Sequence, residues 1–432
     1  MDVLFSVPVI LKVLLSLGLI LAVNAWSRSL LLALLLGTLA LGFWCGFSPE
    51  TLGGIAWRRA VSLNNLMLMV IIFQVVWLSS LMSEAGVMND LVTAVRSRIS
   101  SRASIAVLPA LIGWLPMPGG ALFSAPLVAQ CDRDEELAPL LKTRINYWFR
   151  HIWEYWWPLY PGVLLVLDIT GLDVWQLALL QLPLSVVAAG AGYWFLLRQV
   201  PGEGVERTDG RTGARRGRIV RLMAPVLTVV LVYALVRAGA PAAADFNRYL
   251  PMALGLVGAL LVLQWQRPAS GAVWRRVVLS RKTVQLALLV AMVRIYGAVI
   301  EADLPNGVAL VEQMRLELDL WGIPVVAMIV LIPFVSGITS GLAIGFVGAS
   351  FPIVMSLIGE DPSRGRLLST TVLAFSSGYM GMMLSPVHIC LIVTNEHFRT
   401  RLVHSLAGLI RPAAAVLVGG VVLSVLVRLV LA

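Results

Sequence analysis

Three ionisable side chains stand close together inside an otherwise apolar and aromatic segment, Ile145–Leu167. In a helix, Arg150 and Glu154 are at i and i+4, and His151 and Glu154 are at i and i+3, so all three can share one face. A charged group in a segment of membrane-spanning length is costly to bury, and it therefore marks a candidate functional site. Arg150 is suited to pair with a carboxylate or phosphate, whereas His151 or Glu154 is suited to carry a coupling proton.

The same segment has a second interpretation. Its four tryptophans are typical of an aromatic belt at a membrane interface, in which Arg150 and Glu154 would only satisfy each other. Pro158 and Pro161 interrupt the helix in either case. His151 and Glu154 alone provide too few ligands for a metal ion. The three cysteines show no CxxC spacing and the four histidines form no dense cluster, so no metal site is predicted.

Two apolar stretches are interrupted by glycine, proline and small polar residues, and these interruptions are further candidate sites. The stretches Ser104–Gln130 and Trp321–Ile358 have halves too short to cross a membrane comfortably. We interpret them as re-entrant hairpins (104–130 and 321–358), which are tolerated where protein or a water-filled cavity supplies backbone partners. Freed backbone N–H groups at the tips favour an anion, and glycines let a ligand approach closely. The alternative is that the small residues only permit tight helix packing.

The predicted site residues fall into two groups. Those predicted to bind substrate are Pro118, Gly119, Gly120, Ser124, Asn146, Arg150, Ser336, Thr339, Ser340 and Gly341. Those predicted to bind a coupling ion or proton are His151, Glu154, Ser376, Ser377, Ser385 and His388. The last four lie in the segment Leu367–Val393, where small polar residues before Pro386 predict an unwound stretch. Ordinary helix packing of serine and threonine residues is the alternative there.

Composition defines the class of protein that carries these segments. Of the 432 residues, 59% are hydrophobic and 13% are charged, and the mean hydropathy is +0.88. Soluble proteins carry about a quarter charged residues, so a soluble enzyme, a disordered chain and a nucleic-acid-binding domain are excluded. The net charge of +10 is expected to mark cytoplasmic membrane edges. No P-loop, no serine-nucleophile motif beside a triad and no HExxH occurs, so we expect neither an enzyme nor an ATP-driven pump.

Ten segments are apolar enough and long enough, at about 20 residues per crossing, to predict membrane-spanning helices. They are Val3–Trp26, Ser29–Phe47, Leu63–Met82, Ile145–Leu167, Val174–Leu197, Ile219–Val236, Tyr249–Gln266, Thr283–Ile300, Leu367–Val393 and Leu402–Val427. The predicted fold class is therefore an all-α polytopic membrane protein with ten spans and two hairpins. Arg294 lies within the eighth span, and the sequence does not identify its partner.

The polar segment 198–218 divides the chain into halves, 1–197 and 219–432, of five spans and one hairpin each. Because five is odd, the second half must be inverted relative to the first. Glu84 and Glu301 share one sequence offset with Pro116 and Pro333, and an amphipathic stretch precedes each hairpin. Inverted repeats with interrupted segments are typical of secondary transporters. Most loop cations fall on one side, which predicts both termini outside the cytoplasm.

The segments Trp114–Pro126 and Asn146–Pro158 resemble a prokaryotic integral-membrane family catalogued as domain of unknown function four hundred and one. That family is similar in plan to the ion transporter superfamily, which includes carriers of citrate, dicarboxylates, gluconate, lactate and arsenite, and Na⁺/H⁺ antiporters. The resemblance implies an elevator mechanism in the cytoplasmic (inner) membrane, and dimers are common among similar carriers. The tips lack the Ser-Asn-Thr pattern of dicarboxylate carriers, so dicarboxylate specificity is not implied.

The function predicted from the sequence is secondary transport of a small anionic metabolite, coupled to Na⁺ or H⁺ and requiring no other cofactor. One alternative is a cation/proton antiporter that uses Glu154 and His151. Another is a lipid-handling membrane protein whose broken segments form a groove open to lipid. The expected partners are a small anion and the lipid bilayer, with no nucleic acid; the sequence does not identify a dimer interface.

Overall fold

The computed structural model describes residues 7–96, 100–114, 120–132, 136–200, 216–359 and 361–431. In these ranges the chain is helical, and apart from an isolated bridge between Asp303 and Ala309 no strand occurs. The helices, numbered in chain order, are α1 (Val9–Ser27), α2 (Leu30–Trp44), α3 (Pro49–Ala60), α4 (Leu63–Glu84), α5 (Val87–Arg96), α6 (Ser101–Gly113), α7 (Ala121–Cys131), α8 (Pro139–Arg150), α9 (Pro161–Thr170), α10 (Val174–Phe195), α11 (Arg216–Gly239), α12 (Pro241–Phe246), α13 (Leu250–Gln266), α14 (Gly271–Val278), α15 (Arg281–Ile300), α16 (Leu310–Leu320), α17 (Val325–Ser340), α18 (Ala343–Leu357), α19 (Arg364–Met383), α20 (Ile389–Phe398) and α21 (Leu402–Val430).

Six helical segments within the described ranges are long and apolar enough to cross a membrane. They are Val9–Ser27, Leu63–Glu84, Val174–Gln199, Ile219–Gly239, Gly271–Ile300 and Leu402–Val430. A seventh is added if α16 and α17, which meet at a bend of 113°, are counted as one span. The outer surface is apolar: on α21, Val418 and Leu429 are 62% and 72% exposed. Such a surface fits lipid rather than water, and the protein is a multi-pass membrane protein.

Four of the ten predicted spans do not form one continuous helix long enough to cross a membrane, and the breaks in the fourth and the ninth were expected from their prolines. Ser29–Phe47 and Tyr249–Gln266 form the shorter helices α2 and α13, and two other predicted spans are broken. In the fourth, α8 ends at Arg150 and α9 begins at Pro161. In the ninth, α19 ends at Met383 and α20 begins at Ile389. Each break contains a proline, which has no N–H to continue the helical bonding. We call residues 151–160 the first break and residues 384–388 the second break.

Both predicted hairpins are pairs of helices that pack against each other, α6 with α7 and α17 with α18. The first tip, including Pro118 and Gly119, lies outside the described residues. The predicted position of the second tip, Pro333–Gly341, is wrong by most of its length, because α17 continues through Pro333 to Ser340. The helix ends where Gly341 adopts the left-handed conformation, with φ at 61°, which glycine accepts without steric cost.

The breaks bring the two halves of the chain together. Beyond the first break, α9 packs against α18 of the second hairpin, and beyond the second break, α20 packs against α7 of the first. Tyr379 of α19 donates a hydrogen bond of 2.7 Å to the His151 carbonyl in the first break. Tyr147 of α8 donates one of 3.1 Å to the carbonyl of Met383, which borders the second. Each break is thus stabilised by a tyrosine from the other broken span.

A buried ion pair joins the first broken span to α15. Arg294 Nη1 lies 2.8 Å from Asp168 Oδ1, and the two side chains are 9% and 8% exposed. The Tyr249 hydroxyl also donates to Asp168. This identifies the partner of Arg294 that the sequence left open.

We expect Asp168→Ala to lower the free energy of unfolding by about 3–5 kcal/mol, because the Arg294 guanidinium would stay buried without its carboxylate. The matched control is Glu84→Ala, which removes the exposed pair of Glu84 with Arg276, whose atoms lie 3.5 Å apart. That control should cost about 1 kcal/mol or less. Thermal unfolding of the protein in detergent measures both, and equal losses in the two variants would contradict the expectation.

Candidate functional site

A cavity of about 550 Å³ lies where the breaks and the second hairpin tip face α2, α4 and α15. Six ionisable side chains of the broken spans line it: Arg150, His151, Glu154, Tyr160, His388 and Cys390. The tip contributes Leu342 and Ala343, and the opposite wall includes Val75 and Leu289. A more open depression of about 600 Å³ lies at α14 and is lined by Arg275 and Arg276 beside small and apolar residues. We take the first cavity as the candidate site because its polar groups converge from separate elements.

Arg150 occupies the end of α8 and is 3% exposed. The first hairpin fits around it closely: a Cβ on Gly120 would lie 2.3 Å from Arg150 Nη1, and one on Gly113 would lie 1.8 Å from the Arg150 carbonyl oxygen. The Tyr160 hydroxyl, from the other side of the first break, donates to the Gly113 carbonyl. The guanidinium is therefore held between the first hairpin and the cavity by residues that leave no room for a side chain at Gly120.

The two histidines of the site meet from opposite breaks. The rings of His151 and His388 are 4.9 Å apart between centroids, in an edge-to-face arrangement. His151 Nδ1 lies 2.6 Å from the Tyr147 carbonyl, and its Nε2 lies 3.8 Å from Glu154 Oε1. The predicted group Arg150, His151 and Glu154 is thus found together in one cavity, joined by His388.

Cys390 belongs to the same cluster and was missed in the sequence analysis. One ligand atom from each of His151, His388 and Cys390 lies within 4.8 Å of the others. Cys390 stands two residues beyond His388, and this short spacing was a signal that could have been used. The proximity of His151 to both could not be found from spacing, because it depends on how the two broken spans pack.

The second hairpin tip lies against the second break. A Cβ on Gly341 would be 3.0 Å from the His388 backbone nitrogen. The Ser385 hydroxyl donates a 2.5 Å hydrogen bond to the Ile338 carbonyl near the end of α17. Gly341 and Ser385 are therefore close to the cavity, where they fasten the tip to the break.

Other predicted residues lie apart from the cavity. The hydroxyls of Thr339 and Ser340 donate back to carbonyls of their own helix, 2.8 Å to Val335 and 2.6 Å to Ser336 respectively. Ser376 bonds the Leu373 carbonyl and packs against Gly420 of α21.

The remaining four predicted residues are buried and do not line the cavity; they are Ser124, Asn146, Ser336 and Ser377. The Asn146 amide donates to Thr394 at 3.0 Å. Ser124 Oγ and Ser336 Oγ have no hydrogen-bond partner among the described residues.

The apolar helices define this chain as a multi-pass membrane protein, and charged residues line a cavity between its two broken helices. The chain belongs to the family of proteins of unknown function DUF401, whose model matches residues 1–209 and 252–431. No curated protein matches the chain.

The second hairpin packs on α19 through backbone contact. A Cβ on Gly337 would lie 2.1 Å from the Gly378 carbonyl oxygen and 2.6 Å from the Met382 nitrogen. Because backbone atoms cannot rotate away, we expect Gly337→Ala to destabilise the protein by about 1–3 kcal/mol or more. The control is Gly190→Ala in α10, where a Cβ meets no atom within 4 Å. Thermal unfolding of both variants tests this, and a Gly337→Ala protein as stable as the control would refute the close packing.

Proposed function

We propose that the protein is a secondary transporter that moves a small anionic metabolite across the cytoplasmic membrane, coupled to Na⁺ or H⁺. The observation that carries this proposal is the cavity of about 550 Å³ between the two breaks, with the buried Arg150 guanidinium on its wall. A guanidinium inside a membrane protein is costly unless it serves a negative group, and it matches carboxylate and phosphate in geometry. A small solute with a carboxylate or phosphate group would supply the negative charge and match the geometry of the guanidinium.

Broken helices support this assignment. Interrupted spans expose backbone N–H and C=O groups that bind solutes and ions near mid-membrane in many secondary transporters. Here both breaks border one cavity, and the Gly341 tip reaches the second break. This convergence is the arrangement expected of a solute site in a secondary transporter.

The contacts between helices support two inverted repeats with the boundaries 1–197 and 219–432. The packing of α2 against α15 has a counterpart in that of α13 against α4, and α9 on α18 has one in α20 on α7. The ion pairs at the ends of α4 and α15 also join one half to the other. Glu84 of the first half lies 3.5 Å from Arg276 of the second, and Glu301 of the second half lies 2.6 Å from Arg59 of the first. Reciprocal contacts of this kind are expected when two related halves enter the membrane in opposite directions.

The position of the cavity suits an elevator motion. On one side are the second hairpin and the broken spans, and on the other are α2, α4 and α15. The short helix α16 meets α17 at 113°, and its Glu317 accepts hydrogen bonds of 2.9 Å and 2.7 Å from the backbone nitrogens of Val9 and Ile10 in α1. We infer that α5 and α16 connect a moving unit to a fixed one, with both termini outside.

A second candidate function is cation/proton antiport. It is favoured by Glu154, His151 and His388, three titratable side chains that share the cavity. If the protein is an antiporter, addition of Na⁺ to everted vesicles should change their internal pH. This change should occur without any organic anion present.

The first test is uptake into proteoliposomes, with substrates chosen by thermal-shift screening against organic anions with and without Na⁺. We expect Arg150→Gln to reduce uptake by on the order of tenfold or more, because a buried charge-assisted contact is lost, and Arg150→Lys to retain part of it. The control is Arg198→Gln, since Arg198 is exposed and stacks on Trp194, away from the cavity. Uptake by Arg150→Gln at the rate of the control, or no uptake of any anion by the unaltered protein, would count against the proposal.

Coupling is tested at Glu154. If this carboxylate carries the coupling proton, Glu154→Gln should abolish accumulation driven by a pH gradient while preserving exchange of labelled for unlabelled substrate, since exchange needs no net proton movement. The matched control is Glu396→Gln, because Glu396 is an exposed carboxylate at the end of α20, away from the cavity. Full gradient-driven accumulation by Glu154→Gln would exclude the role of this residue as proton carrier.

A further inference from the structure

Three metal-ligating side chains converge in the cavity from two different broken spans. His151 comes from the first break, His388 from the second break, and Cys390 from the first turn of α20. One ligand atom of each lies within 4.8 Å of the other two. His151 and His388 are 2% and 5% exposed, and Cys390 is half-buried on the cavity wall.

The hydrogen bonding of the histidines leaves ligand atoms available. The 2.6 Å contact of His151 Nδ1 with the Tyr147 carbonyl places the proton on Nδ1, so Nε2 keeps its lone pair. Metal-binding histidines commonly donate their other ring N–H to a backbone carbonyl in this way. His388 Nδ1 is buried and has no hydrogen-bond partner within the described residues, although burying such an atom without a partner is unfavourable.

We propose that His151, His388 and Cys390 bind a thiophilic transition-metal ion of the Zn²⁺ and Cu⁺ class. Two imidazole nitrogens and one thiolate suit these ions, and a tetrahedral Zn²⁺ would leave its fourth position open to the cavity. Donors around such an ion are about 3.5 Å apart, so modest side-chain rotation closes the set. Binding deprotonates Cys390 and releases its proton to solvent.

The charges around the set are compatible with a cation. The Arg150 guanidinium lies near Cys390, which opposes metal binding. The Cys390 thiolate formed on binding balances that charge, and the Glu154 carboxyl, whose Oε1 is 3.8 Å from His151 Nε2, supplies a second negative charge when it is deprotonated. The proposal concerns binding and does not depend on transport.

The test is titration of the purified full-length protein, in detergent and after treatment with a chelator, with Co²⁺ as a spectroscopic probe. We expect the near-ultraviolet absorption of a cobalt–thiolate bond, saturating at one ion per chain and displaced by Zn²⁺. Cys390→Ser should abolish this absorption and His388→Ala should weaken it, whereas Cys131→Ser, the matched control in α7, should retain it. No absorption in the unaltered protein, or the same absorption in Cys390→Ser, would overturn the proposal.

A second measurement needs no variant. Zn²⁺ should slow alkylation of Cys390 by a maleimide on the order of tenfold, since the thiolate would be occupied, with Cys45 and Cys131 as internal references resolved by mass spectrometry. Unchanged alkylation of Cys390, or equal slowing at all three cysteines, would refute a specific site. Anion uptake without a cobalt–thiolate band would refute the metal site alone, and a band without uptake would refute only the proposed transport.

Discussion

The structure depends on one constraint, which is that backbone groups freed by a broken helix must find partners inside the protein when lipid surrounds it. Tyr379 meets the His151 carbonyl in the first break, and Tyr147 meets the Met383 carbonyl beside the second. The two breaks thus stabilise each other, and neither is expected to keep its shape alone. This mutual dependence brings the ionisable residues of both broken spans to one cavity.

Local sequence signals predicted much of this arrangement and missed the parts that depend on tertiary packing. Prolines marked both breaks, and Arg150, His151 and Glu154, which are grouped in the sequence, line one cavity. The end of α17 was misplaced because Pro333 fits inside a helix, and the left-handed Gly341 stops it instead. Hydropathy also counted the shorter helices α2 and α13 as full spans, since it cannot distinguish a short apolar helix from one that crosses the membrane.

The serine hydroxyls show why residue type alone did not predict which side chains contact another element of the structure. Ser340 and Ser385 are both near the second tip, yet the first bonds its own helix while the second bonds the Ile338 carbonyl of another. Serine can satisfy itself on the preceding turn or reach across to a neighbour, and the choice depends on what packs beside it. Cys390 was passed over although His388 stands two residues before it, because its other neighbour in the cluster, His151, is distant along the chain.

The direct backbone contact between α17 and α19 limits how far these two helices can move relative to each other. Where Gly337 and Gly381 stand, the two main chains touch without intervening side chains, and a Cβ on Gly381 would be 2.1 Å from the Phe334 carbonyl oxygen. Where side chains separate two helices, rotation of the side chains accommodates a small shift of one helix relative to the other. Two backbones in direct contact cannot accommodate such a shift. Displacement of the Gly341 tip is therefore expected to move α17 and α19 together as one rigid pair.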